Sequence, residues 1–131
     1  MKQGLAILAA LALLSSAACA ETRTYCGKLA SSGHMVPAET GITRNDRGEL
    51  IGTYTFVDGT RVFNGTLAPA TPMAKNSWRF IWTDDYGSGE LDVKFNADQS
   101  AFTGKWGDGH NKPRLPWNGK LGSGCLAIPS T

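Results

Sequence analysis

Gly52-Thr53-Tyr54-Thr55-Phe56-Val57-Asp58-Gly59-Thr60-Arg61-Val62-Phe63-Asn64-Gly65-Thr66-Leu67 decides the fold. Leu50, Gly52, Tyr54 and Phe56 recur at every second position before the Asp58-Gly59 pair, and Phe63, Gly65 and Leu67 do so after it. Side chains of an extended strand point alternately to opposite faces, so each of these sets occupies one face of its strand. Asp-Gly between two alternating runs is the favoured chemistry of a tight hairpin turn. The stretch therefore predicts two antiparallel strands, each with one apolar face.

The end of that stretch, Phe63-Asn64-Gly65-Thr66-Leu67, has two further copies, Phe102-Thr103-Gly104-Lys105-Trp106 and Trp117-Asn118-Gly119-Lys120-Leu121. Each places an aromatic residue, a glycine and a large apolar residue on one strand face. Glycine alone weakens a strand. Beside large rings it makes room for a ring from the neighbouring strand and permits the bend and twist that closing a small sheet requires. The repeat thus reads as sheet-building chemistry, with Trp78, Trp82 and Trp106 as core. Trp117 is the exception: it follows Pro116 at the end of a loop and is open to an outward orientation.

Working outward, Tyr25–Leu29 predicts a short first strand, Trp78, Phe80 and Trp82 a central one, and Leu91, Val93 and Phe95 another. Asp84-Asp85-Tyr86-Gly87-Ser88-Gly89 and residues 96–100 read as turns, and residues 68–76 and 107–116 as longer loops. The expected fold is all-β: one small antiparallel barrel or sandwich of about six to eight strands over residues 21–131.

The hairpin at 52–67 resembles a MORN repeat, whose pattern is glycine, alternating residues, Asp-Gly, then aromatic-x-Gly-x-Trp. Leu67 stands where that family has its last tryptophan. A partial second match runs from Gly87-Ser88-Gly89 to Trp106, with extra residues before Phe102. The resemblance implies a scaffold for protein or lipid contact and carries no catalytic residues.

Residues 1–20 set the expected compartment. Met1-Lys2, the uncharged apolar run Leu5–Leu14 and the small residues from Ser15 to Ala20 form the order of a secretory signal peptide. The run is about half the length that spans a bilayer, so no transmembrane helix is expected in the mature chain. Cleavage after Ala18-Cys19-Ala20 gives a secreted or periplasmic protein, and the short alanine-rich signal leans bacterial. The alternative is a membrane-anchored lipoprotein modified at Cys19, since Ser-Ala-Ala-Cys loosely resembles a lipoprotein box. Of the three cysteines, Cys26 and Cys125 then remain in the domain, an even count that predicts one disulfide tying its ends.

The net charge of +2 has no concentrated basic face, which disfavours nucleic acid and purely electrostatic membrane binding. No cofactor motif is present. Asp84, Asp85, Glu90 and Asp92 form the densest acidic cluster, without the spacing of a calcium loop. His34 and His110 lack a second ligand at metal spacing, so no metal site is expected. The favoured function is a non-enzymatic binding module for an envelope protein or glycan, with Tyr86 and Trp117 as candidate contacts. The alternatives are a small envelope hydrolase using Asp84 or Asp85 with Asp108 and His110, provided those loops converge, or a passive envelope lipoprotein.

Overall fold

The computed structural model describes residues 21–127. The expected signal peptide and Cys19 lie outside them. The described chain is a closed antiparallel barrel of eight strands: β1 (Glu21–Ser31), β2 (His34–Arg44), β3 (Leu50–Asp58), β4 (Arg61–Ala74), β5 (Ser77–Asp84), β6 (Gly87–Phe95), β7 (Ala101–Asp108) and β8 (Leu115–Leu121). Each strand pairs with the next in sequence, and β8 returns to pair with β1 from Leu29↔Trp117 to Tyr25↔Leu121.

Closure corrects the MORN resemblance. The hairpins β3–β4 and β6–β7 exist, but further strands bond to both of their edges and the sheet curls back on itself. A hairpin repeat stacks its units along an open array, whereas here every inner face points into one shared interior. Leu67, in the place of the expected tryptophan, is buried in that interior, in the same core cluster as Phe63 and Phe80.

The aromatic-glycine repeat explains how so small a barrel accommodates so many rings. A side chain at Gly65 would run into the ring of Tyr54, which lies over the glycine backbone from the paired strand. Gly119 faces Gly27 across the β1–β8 seam, and a Cβ on it would come within 2.8 Å of both the Phe102 ring and Tyr25. The glycines are therefore the seats into which neighbouring rings fit. Gly104 and Gly119, like Phe63 and Phe102, are on inner faces, while Leu121, the last residue of β8, is exposed.

Three parts of the chain differ from their expected form. The first strand runs well beyond Tyr25–Leu29, and β2 was not signalled at all. The inner positions of β2 are Val36, Ala38, Thr40 and Ile42, small or polar enough to blur the apolar alternation. Pro37 also interrupts it, yet sits where β2 pairs only with β1, since pairing to β3 begins at Ala38↔Phe56. Its missing N–H is thus not needed by the second neighbour. Pro116 repeats this arrangement: it pairs with Lys105 of β7, while pairing of β8 to β1 begins one residue later at Trp117. The expected loop at 68–76 is mostly strand. β4 continues to Ala74 through register shifts between Ala68 and Thr71 and between Pro72 and Ala74, irregularities of the kind that accommodate proline in a sheet.

The disulfide joins Cys26 to Cys125, with 6.0 Å between Cα atoms and 99 residues between the two positions in sequence. Cys125 follows β8, so the bridge binds β1 to the segment beyond the last strand. One end of the barrel is stoppered by Tyr25, Phe95 and Phe102, whose rings pack edge-on or tilted at centroid distances of 5.2–6.0 Å. The Tyr25 hydroxyl donates to the Gln99 carbonyl across that end. The opposite end is open.

Candidate functional site

In an up-and-down barrel alternate turns gather at one end. The β1–β2, β3–β4 and β5–β6 turns and the β7–β8 loop surround a cavity of about 210 Å³ that enters the barrel between them. Its walls are rings: Tyr54 and Phe56 from β3, Trp82 from β5, Trp106 from β7 and Trp117 from β8, with Tyr86 on the rim. Leu29, Ala30, Ser31 and Ser32 from the end of β1 complete one side, and Asp84 and Asp108 supply the carboxylates.

Tyr54 and Trp117 meet edge to face at 4.7 Å, and Trp82 and Trp106 do so at 5.4 Å. Tyr86 occupies the two-residue turn after β5 and lays its ring against Phe63, 4.9 Å away, and more distantly against Phe56. Its backbone N–H donates to Asp84 Oδ1, which holds the turn in place. Arg61 lies over the other stacked ring, its guanidinium carbon 4.7 Å from the Phe63 centroid.

The polar atoms of the mouth are largely satisfied by one another. Trp82 Nε1 donates to the Gly107 carbonyl at 3.0 Å, Trp106 Nε1 to the Ala30 carbonyl at 3.1 Å, and Trp117 Nε1 to Thr40 Oγ1 at 3.0 Å. The Tyr54 hydroxyl donates to Asp84 Oδ2 at 2.6 Å. Asp108 Oδ1 accepts from Asn111 Nδ2 at 2.7 Å. These bonds clamp the rings to the barrel wall and to the loops, so the cavity is preformed.

Burial, followed by the hydrogen bond to Asp84 and the negative charge there, holds the Tyr54 hydroxyl far above the usual phenol value of about 10. Burial also raises Tyr25, against the opposing influence of Arg23. A raised value means that above about pH 10 the unfolded chain releases these protons while the folded chain retains them, so stability is full below that pH and declines as pH rises. In an alkaline titration, the phenolate absorbance of Tyr54 is expected to emerge only together with loss of the near-ultraviolet circular dichroism. Full ionisation of all three tyrosines with the dichroism unchanged would contradict this.

Both sequence-derived contact candidates border this one cavity, Tyr86 at the exposed rim and Trp117 on the inner wall. Trp117 faces inward and is 2 % exposed, because β8 begins before Pro116 and its alternation carries the indole into the interior. Asp84 and Asp108 come together on the cavity, while Asp85 and His110 are exposed and lie outside its lining. The acidic cluster is divided by the strand alternation and the turn. Glu90 and Asp92 project outward to Arg79, whose Nε and Nη2 bond Asp92 at 2.6 and 2.8 Å, whereas Asp84 turns to the mouth. His34 pairs with Asp58 at 3.0 Å, and Ser31 donates to the other oxygen of the same carboxylate.

Glu39 lies 3.3 Å from the Cys125 sulfur, but the sulfurs of Cys26 and Cys125 are bonded to each other and are not free to hold a metal. Among the described residues no helix is long and apolar enough to cross a membrane. The aromatic cavity residues that sequence reading did not single out as site residues are Tyr54, Phe56, Trp82 and Trp106. The signal for them is topological: on an up-and-down meander, inner positions beside alternate turns share one mouth. A comparison of the chain with protein-family models, with curated protein sequences and with solved structures finds no match.

Proposed function

We propose that this protein is an exported, non-enzymatic binding module whose ligand seats in the open mouth of the barrel. The observation that carries the reading is the ring-walled cavity of about 210 Å³ between the turns at one end. An apolar cavity of about 150 Å³ holds a benzene molecule, so this one has room for a small ligand of one ring or a comparable branched body. Small-molecule sites in eight-stranded barrels occupy the same place, with apolar walls and few fixed polar groups. Export is supported by the order of charge, apolar run and small residues in 1–20 and by the disulfide of the domain.

The four tryptophans provide the test, because Trp82, Trp106 and Trp117 border the cavity and Trp78 does not. In a nitrogen–proton correlation spectrum, small apolar and amphipathic fragments at low millimolar concentration are expected to move the first three indole N–H signals and leave that of Trp78 in place. Movement of none of them across a varied fragment set, or of Trp78 alone, would defeat the proposal.

A further inference from the structure

We infer that the ligand of this mouth is a small organic cation, of the quaternary or alkylated ammonium class; the inference rests on the binding reading above and specifies its ligand. The first ground is the wall. Six aromatic rings, those of Tyr54, Phe56, Trp82, Tyr86, Trp106 and Trp117, border one cavity, and aromatic rings carry the negative faces that attract a cation. Such attraction is strongest where the cation is withdrawn from water, as it is between ring walls.

The second ground is charge. Asp84 and Asp108 stand on the same cavity, and no lysine, arginine or histidine lines it among the described residues. Positive charge does reach the outside of the ring set: Arg61 lies on Phe63, which stacks in turn on Tyr86 and Phe56. The nearby His34 is engaged with Asp58. The chain itself thus brings a cation to the outer edge of these rings.

The third ground is the scarcity of donors offered by the inner wall. An anion or a sugar needs N–H and O–H groups directed at it. Here the three indole N–H groups and the Tyr54 hydroxyl are all donated back to the protein, to Gly107, Ala30, Thr40 and Asp84. Ser31 Oγ is likewise given to Asp58. What the inner wall leaves for a ligand is π-surface and carboxylate oxygen, with the Ser32 and Tyr86 hydroxyls confined to the exposed rim, a combination that suits an alkylated ammonium group, which has little need of hydrogen-bond acceptors and carries a full positive charge.

Three probes of nearly equal shape test this: choline, the uncharged 3,3-dimethylbutan-1-ol and the anion 3,3-dimethylbutanoate, each titrated against the intact domain with the indole signals as readout. Choline is expected to bind at least about tenfold more tightly than the neutral isostere, with the anion weakest. Asp108→Asn is expected to lower choline affinity about three- to tenfold while leaving the neutral probe unchanged. Equal binding of choline and the alcohol, or preference for the anion, overturns the cation inference while leaving a ligand-binding mouth in place. If no probe binds and the broader fragment set also fails, both readings fall. Because the decisive comparison uses the unmodified protein, it does not depend on how well the variant folds.

Discussion

Replacing Cys26 and Cys125 together by serine is expected to lower the unfolding free energy by about 4 to 5 kcal/mol and the melting temperature by about 20 °C. The estimate follows from the 99-residue separation of the bridged positions, which makes the bond remove much of the freedom of the unfolded chain. The barrel has a particular need of that constraint. Neighbouring strands such as β1 and β2 are joined through a tight turn and pair along eleven positions, whereas β1 and β8 meet from opposite ends of the domain and pair along five. Bringing such distant segments together carries the largest loop-closure entropy in the sheet. The bridge holds β1 to the segment just past β8 and so keeps the seam's partners close even in the unfolded state. Thermal and urea unfolding of the double variant, compared with the oxidised protein, measures the effect. A change below about 1 kcal/mol would show that the seam holds without it.

Trp117→Ala is expected to cost about 3 to 5 kcal/mol, the range for removing a large buried aromatic side chain. Trp117 is 2 % exposed, meets Tyr54 edge to face and donates to Thr40, itself buried. Its removal would therefore leave a void on the seam and take away the donor to Thr40 Oγ1. Trp117→Phe separates the two contributions: it keeps most of the ring and loses the hydrogen bond, for an expected cost of about 1 to 3 kcal/mol. Denaturant unfolding of both variants provides the measurement. An alanine variant as stable as the parent would place Trp117 outside the core, and would contradict the inward orientation of β8.

Strands rich in large apolar residues were legible because their alternation is strong: Tyr54 and Phe56, Phe63 and Leu67, and Leu91, Val93 and Phe95 all fall on the predicted faces. The cysteine pair was legible from count and position. β2 was not, because Ala38 and Thr40 fill inner positions where the large rings of Tyr25, Tyr54 and Trp117 already take the space. Proline misled the reading of β4 and β8, since one sequence cannot show that Pro69 sits in a register shift or that Pro116 precedes the second strand's pairing. At the site, Tyr86 and Trp117 were named together as binding contacts, and Asp84 and Asp108 within a hydrolase alternative that required their loops to converge. Their common location follows from which turns share an end, and that requires the strand count and the closure. Trp82 and Trp106 read as core because a ring lining a cavity and a ring filling one have the same sequence pattern.

The direction in which the chain enters and leaves the barrel fixes how the molecule would be presented on a support. β1 begins at Glu21 beside Arg44 and Gln99, and β8 ends at Leu121 against Ser100, all at the end stoppered by Tyr25, Phe95 and Phe102. The disulfide fastens the segment after β8 to that same flank of β1. A tether attached ahead of β1, to a surface or to another domain, would therefore hold the barrel by its closed base and turn the mouth away. The mouth would then face free solution, and neighbouring molecules on such a surface would stand side by side without covering one another's openings.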